Sequence, residues 1–188
     1  MLQSDEASQR QLLERIAKRD REAVAEFYDQ MAGALFSTAV RILGDAHEAE
    51  EALQDVFVQI WDKAAAFDPT MGSPFHWTLS ITRNRCIDRL RARQRRFRLI
   101  SELQETPTAG HAADERPFQV GLTEDELTAV RSAVSGLPVE QRQAIEMAFF
   151  GGMTHLEIAE ALKTPLGTIK ARIRRGMLKL RDSLQPYA

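Results

Sequence analysis

The sequence predicts an all-α protein: two small helical domains joined by a flexible, acidic linker. Three observations carry this. Apolar residues recur at three- and four-residue spacing through each patterned segment, and no run alternates for long enough to read as a strand. The periodicity lapses over "ELQETPTAGHAADERPFQVG", where prolines and glycines give linker composition. A chain of 188 residues has room for one mid-sized domain or two small ones, and so long a structureless run is unusual inside a compact domain. The expected division is therefore 1–98, a linker over 99–122, and 123–188.

In the first domain, Phe27, Tyr28, Met31, Leu35, Ala39 and Ile42 form a helical stripe that Gly44 ends. Asp45 with Glu48 reads as a capping box for the next helix. That helix lines up Ala49, Ala52, Leu53, Val56, Phe57 and Ile60, and leaves Glu48, Glu51, Asp55, Gln59 and Asp62 on an acidic outer surface. The turn-rich "DPTMGSP" follows, with Ser73 as N-cap and Pro74 at the first helical position of a third helix. In that third helix Trp77 and Ile81 fall on one side while Leu79, Cys86 and Leu90 fall on another, so it is buried on two sides or bent.

Beyond the linker, Thr123 with Glu126 is a candidate cap, and Pro138 opens a helix through Ala144, Ile145, Ala148 and Phe149 that Gly151 and Gly152 close. Thr154 then caps a short helix with Glu157 in the reciprocal position and Ile158, Ala159 and Leu162 inside. Lys163, Thr164 and Pro165 make a tight connection. At about 100° per residue, Leu166, Ile169, Ile173, Met177 and Leu180 share an arc of roughly 80° that should face the core. Thr168, Ala171, Arg172, Arg175 and Lys179 lie opposite, with Lys170 and Arg174 along one flank.

The formal net charge of -2 conceals a strong segmentation. Residues 1–62 are acidic, 83–98 carry eight arginines against Asp88 alone, 99–130 turn acidic again, and Lys163 to Arg181 contain no acid. Two basic blocks fit two contacts with a polyanion or two solvated helix faces, and charge alone does not choose between them. The last block adds a geometry. Two short capped helices joined by a short turn, the second cationic on its outer face, are how a recognition helix enters the major groove. Arginine there can pair bidentately with guanine, and lysine can fix register through phosphate.

Several classes fall away. No run of about 18 apolar residues exists to span a membrane. The N-terminal "MLQSDEASQR" is acidic where a signal peptide is basic and then apolar, so a cytoplasmic protein is expected. Cys86 is the single cysteine, which excludes an intramolecular disulfide and reads as a small core filler. His47, His76, His111 and His155 lie too far apart for a ligand pair, and no Gly-rich phosphate loop or nucleophile and base pair is present, so neither metal, cofactor nor enzymatic activity is expected.

"GGMTHLEIAEALKTPLGTIKARIRRGMLKLR" resembles region 4 of bacterial sigma factors of the sigma-70 family, and "LPVEQRQAIEMAFFGG" resembles the helix before that motif. Upstream, "GDAHEAEEALQDVFVQIWDKAAAFDP" resembles region 2.2 and "WTLSITRNRCIDRLRARQRR" resembles region 2.4. With only regions 2 and 4, the chain is similar to the extracytoplasmic-function type.

The resemblance implies partners: core RNA polymerase, through the beta-prime clamp coiled coil and the beta flap, promoter DNA, and an anti-sigma factor. It matches Glu51, Asp55, Val56, Phe57, Gln59 and Trp61 to the polymerase-binding helix. The stripe reading makes Val56 and Phe57 core residues, which favours Asp55 and Gln59 as contacts, while Trp61 fits either role. Arg83, Asn84, Arg85, Asp88, Arg89 and Arg91 match the minus-10 helix, and Asp68 to Ser73 the loop that captures an unstacked base. Phe75 is open between stacking and core, and Trp77 leans to the core. Leu166 through Arg175 match the minus-35 recognition helix, with Lys163, Thr168, Lys170, Ala171, Arg172, Arg174, Arg175 and Lys179 as its DNA-facing set. Lys163 stands where glycine is common in the family. A stand-alone helix-turn-helix regulator binding DNA as a dimer is the alternative, but it leaves the acidic helix from Asp45 to Asp62 without a purpose.

Overall fold

Helix is the regular structure throughout the computed structural model, which describes the backbone of residues 2–101 and 124–184 and the side chains of 6–96 and 128–184. The chain divides into two units, Met1–Gly121 and Leu122–Ala188. The expected linker beyond Ser101 and the expected cap at Thr123 and Glu126 lie outside what is described.

The first unit holds α1 (Leu2–Ala17), α2 (Arg21–Leu43), α3 (Ala46–Lys63) and α4 (Pro74–Ser101), with short 3-10 turns at Ala64–Ala66 and Pro69–Met71. The sequence reading placed no element before Phe27. Nonetheless Leu12, Leu13 and Ile16 of α1 are buried beside Phe27, Met31, Leu35, Val56 and Ile60. Helix α1 stops where Arg19 turns left-handed, at φ 67°, letting its own N–H bond Ile16 O at 2.8 Å and that of Asp20 bond Arg15 O at 3.2 Å. The Asp20 carboxylate then accepts from the Glu22 and Ala23 N–H groups and opens α2.

All six residues of the expected α3 stripe are buried. Gly44 takes the left-handed turn, φ 71°, between α2 and α3. The expected capping box is only half formed: Asp45 accepts from the Glu48 N–H at 2.8 Å, but the Glu48 carboxylate reaches Arg93 at 3.3 Å instead of returning to the cap. A distant guanidinium outcompetes a local N–H because the bond to it is charge-assisted.

Helix α4 departs most from expectation. Its buried row is Thr78, Thr82 and Cys86, with Ile87 beside it, while Trp77, Leu79 and Ile81 pack at its edges, partly buried. The threonine hydroxyls donate to the carbonyls of Pro74 (3.0 Å) and Thr78 (2.9 Å), so their hydrogen bonding is met within the helix and the methyl groups can line the core. Burial pushes the Cys86 thiol up to about 11, as befits a core filler.

The second unit holds α5 (Glu124–Ser135), α6 (Val139–Phe149), α7 (His155–Ala161) and α8 (Leu166–Leu184). The capping box that opens α7 is complete, Thr154 N–H to Glu157 Oε2 at 2.6 Å and Glu157 N–H to Thr154 Oγ1 at 3.2 Å. The α7–α8 core is small: Ile158, Ala159 and Ile169 are buried, with Met147, Met153, Leu162 and Ile173 packed around them.

The expected inward arc of α8 needs correction, because Met177 is 53% exposed and Leu166 sits at the surface. The row turned inward is Ile169, Ile173, Gly176 and Leu180. A Cβ on Gly176 would lie 2.5 Å from Ile145 Cδ1 and 3.3 Å from Gln141 Cβ, so α6 and α8 approach here more closely than a side chain allows.

Candidate nucleic-acid and polymerase interfaces

The helix-turn-helix is α7 and α8, and its elbow explains the odd lysine. Lys163 adopts φ 48°, with its N–H on Glu160 O at 3.2 Å and the Thr164 N–H on Ala159 O at 2.9 Å, the paired closure of a left-handed helix end. A side chain is strained there, which is why glycine suits the position. Lys163→Gly is expected to raise the stability of the second unit by about 0.5–1 kcal/mol, measured by denaturant unfolding of the full chain. An unchanged midpoint would mean that the lysine stem recovers the strain through packing.

From this elbow α8 projects with Thr168, Lys170, Arg174, Arg175 and Lys179 exposed, and Lys163 is exposed beside them. Ala171 and Arg172 are half-buried. The expected minus-35 set thus gathers on one helix and its elbow, with no acid from Lys163 to Lys179.

In the first unit the acidic face of α3 and the basic face of α4 meet. Arg85 donates to Asp55 Oδ2 from Nε (3.1 Å) and Nη2 (2.7 Å), and Arg89 Nη2 donates to the same oxygen at 2.6 Å. Arg89 Nη1 also reaches Glu51 Oε2 at 2.9 Å. Arg93 completes the row, donating to Leu43 O at the end of α2 (3.2 Å) and to Glu48. Burial alone would raise the Asp55 carboxyl, but the hydrogen bonds from Arg85 and Arg89 outweigh it and hold the group below its ordinary value. For Arg89, burial pulls downward, and the bonds to Asp55 and Glu51 reverse it to a net rise.

The residues matched to polymerase binding therefore part company. Val56 is fully buried and Phe57 is 8% exposed, its ring 4.7 Å from that of Tyr28, so neither offers side-chain surface to a partner of any size. Glu51 and Asp55 are engaged with α4. Gln59 and Trp61 are half-exposed, and the Arg19 guanidinium lies over the Trp61 ring at 5.2 Å. The solvent row of α3 is Glu50, Gln54 and Val58, with Val58 61% exposed. Sequence reasoning missed it because an apolar Val58 beside the core stripe reads as more core.

Of the residues matched to minus-10 recognition, Asn84, Asp88 and Arg91 are exposed and Arg83 is half-buried. Burial first, and the charge of Arg91 second, hold the Arg83 guanidinium below its ordinary value. In the expected base-capture loop, Asp68 accepts from the Thr70 N–H (2.8 Å) and hydroxyl (2.7 Å), and Met71 stands at the tip, 84% exposed. Trp77 is partly buried with its ring edge-on to Phe67, and Phe75 packs partly buried against the core.

Residues 27–96 match the model of sigma-70 region 2, and residues 127–180 match that of sigma-70 region 4. The ECF RNA polymerase sigma factor SigK of Mycolicibacterium vanbaalenii is 36% identical over 176 residues, covering 92% of this chain and 87% of that one. The chain belongs to the extracytoplasmic-function group of the sigma-70 family. SigK of Mycobacterium ulcerans is 35% identical over 175 residues, covering 92% of this sigma factor and 91% of its own length. Among solved structures, Rhodobacter sphaeroides SigE in complex with the anti-sigma ChrR is 33% identical, with a TM-score of 0.45, covering 94% of this sigma factor and 98% of that chain. As a sigma factor, the protein binds core RNA polymerase and directs it to promoters. The stand-alone regulator is not favoured, since it gives region 2 no task.

Proposed function

We propose that the second unit reads the minus-35 element as duplex DNA through α8, while the first unit docks on polymerase through α3 and contacts the minus-10 element through α4. The carrying observation is the cationic outer side of α8, with no acid between Leu166 and Arg181, projected from a capped α7 and a left-handed elbow at Lys163. The polymerase face is the outer row of α3, Glu50, Gln54 and Val58, with Gln59 and Trp61. It lies beside a groove of about 450 Å³ lined by Tyr28, Ala32, Phe36 and Leu53. The work is recognition, without covalent chemistry, and its place is the cytoplasm, where polymerase and promoters are. An anti-sigma factor holding the protein inactive is part of the same reading. It is supported by the family and by the company of solved relatives such as SigE with ChrR.

Run-off transcription with purified core polymerase on a pool of promoter fragments tests it. Defined start sites that depend on this protein are expected, and their absence would overturn the reading. Arg172→Ala and Arg175→Ala should each weaken use of a matched minus-35 sequence by about 1–3 kcal/mol if they read bases. Equal losses on every sequence would identify them as phosphate contacts.

A further inference from the structure

Among the described residues, Arg19 at φ 67° and Lys163 at φ 48° hold a left-handed backbone on a residue other than glycine, while Gly44 and Gly152 take the same turn at φ 71° and 62°. A side chain is strained there, and strain of this kind collects where the side chain has work that glycine would leave undone. At Arg19 the work is visible. The elbow between α1 and α2 is closed around it: its N–H bonds Ile16 O, and the neighbouring Asp20 accepts from Arg15 Nε at 2.8 Å while capping α2. From this fixed base the guanidinium crosses to the C-terminal end of α3, where Nη1 donates to Trp61 O at 3.0 Å and the group lies over the indole at 5.2 Å. Trp61 O is among the last four carbonyls of α3, which a helix leaves without an N–H of its own, and a cation suits that end of the dipole. Asp62 Oδ1 is 3.5 Å from Nη1 with the two side chains 56% and 63% exposed, so that pair holds little, and the carbonyl and the ring set the position.

We propose that Arg19 is a positioning residue for polymerase docking: its guanidinium fixes the Trp61 indole in the pose that core polymerase receives. The inference rests on the reading that puts Trp61 on the polymerase face, and it adds to that face a support from outside the stretch matched to region 2, which begins at residue 27. A half-exposed tryptophan offers a partner a large area, but ordering a loose ring on binding costs affinity. Arg19 removes that cost beforehand. Because the guanidinium is bonded to the carbonyl of the same residue whose ring it covers, cation and ring are tied to one point of the chain, and a swing of the indole would forfeit the contact. Glycine at this position would ease the backbone and leave the ring unheld.

A double-mutant cycle on core affinity separates positioning from direct contact and from folding. The affinity of the full chain for purified core polymerase is measured by competition, with the thermal unfolding midpoint of each free variant alongside. Trp61→Ala tests the underlying reading: if it binds core as tightly as the unaltered chain, Trp61 does not belong to the polymerase face and the proposal falls with that reading. With Trp61→Ala impaired, the variants at Arg19 test the proposal alone. Arg19→Ala should weaken core binding about three- to tenfold when the indole is present and by nothing further when Trp61 is already alanine. Arg19→Gly should unfold at a higher temperature than Arg19→Ala, because it relieves the left-handed backbone, and yet lose as much affinity. In a Trp77→Phe background, which leaves Trp61 as the one remaining tryptophan, Arg19→Gly should also make the emission more open to quenching by acrylamide. The proposal is overturned if Arg19→Ala costs the same affinity with and without the indole, if Arg19→Gly binds core like the unaltered chain, or if the quenching of Trp61 does not change.

Discussion

Asp55→Arg is expected to destabilise the first unit by about 2–3 kcal/mol, lowering its unfolding midpoint by on the order of 10 °C. The substitution sets a third guanidinium against Arg85 and Arg89, both of which now donate to one Asp55 oxygen at 2.7 and 2.6 Å. Removing one partner of a fully buried pair costs about 3–5 kcal/mol. The smaller figure allows for solvent screening, because the Asp55 and Arg89 side chains remain 36% and 25% exposed. Core-polymerase binding should fall as well, but as a consequence of the damaged fold. Val58→Arg is the control: it places a cation on the outer row of α3 and should weaken core binding with the midpoint preserved. Were Asp55→Arg to keep the native midpoint and still lose core affinity, the carboxylate would belong to the interface and not to the clamp on α4.

The same carboxylate gives the first unit an acid limit. A group whose folded value lies below its unfolded value of about 3.9 stabilises the fold above that pH, and the contribution disappears as pH falls through the folded value. The unfolding midpoint should therefore drop below about pH 4, and drop less in Asp55→Asn, which starts lower.

Ile169→Ala is expected to cost the second unit about 2–4 kcal/mol, close to the whole stability of a core this small. Ile169 is 0% exposed, and among the described residues Ile158 and Ala159 are the ones buried with it in the α7–α8 core. The helix that presents the cations is thus also the one that closes the core, so recognition and stability cannot be separated at this residue. Denaturant unfolding should show the second unit's transition shifted and the first unit's unchanged. Minus-35 binding should fall while core binding through the first unit persists. An unshifted transition would mean that Met147, Met153 and Ile173 collapse into the vacated space.

Helices α2 and α3 were legible because their buried residues, Thr38 aside, are apolar and evenly spaced, and Gly44, Asp45, Thr154 and Ser73 carry the chemistry of helix ends openly, whereas the cap at Asp20 was not read. Lys163 showed itself as a departure from a family pattern, and the left-handed backbone supplies the reason. What the sequence hid are roles opposite to residue type. Thr78 and Thr82 look polar but are buried, because their hydroxyls bond their own helix. Gly176 looks like a weak point in α8, yet its missing side chain brings α6 close. Eight arginines look like one cationic block until α3 shows that Arg85, Arg89 and Arg93 are engaged with its carboxylates. The spacing of Glu48, Glu51 and Asp55 against Arg85, Arg89 and Arg93 was present in the letters, but pairing them required knowing that the two helices lie side by side.

Region 2 matches from residue 27, yet α1 contributes Leu12, Leu13 and Ile16 to the buried interior, and just beyond it Arg19 donates to Trp61 O at 3.0 Å while lying over its indole. A chimera that grafts this promoter specificity onto another sigma factor must therefore transplant the leading helix too. Trimmed at the family boundary, the graft would carry an open greasy trough along α2 and a loosened indole at the end of α3, and would report on misfolding where it was built to report on specificity.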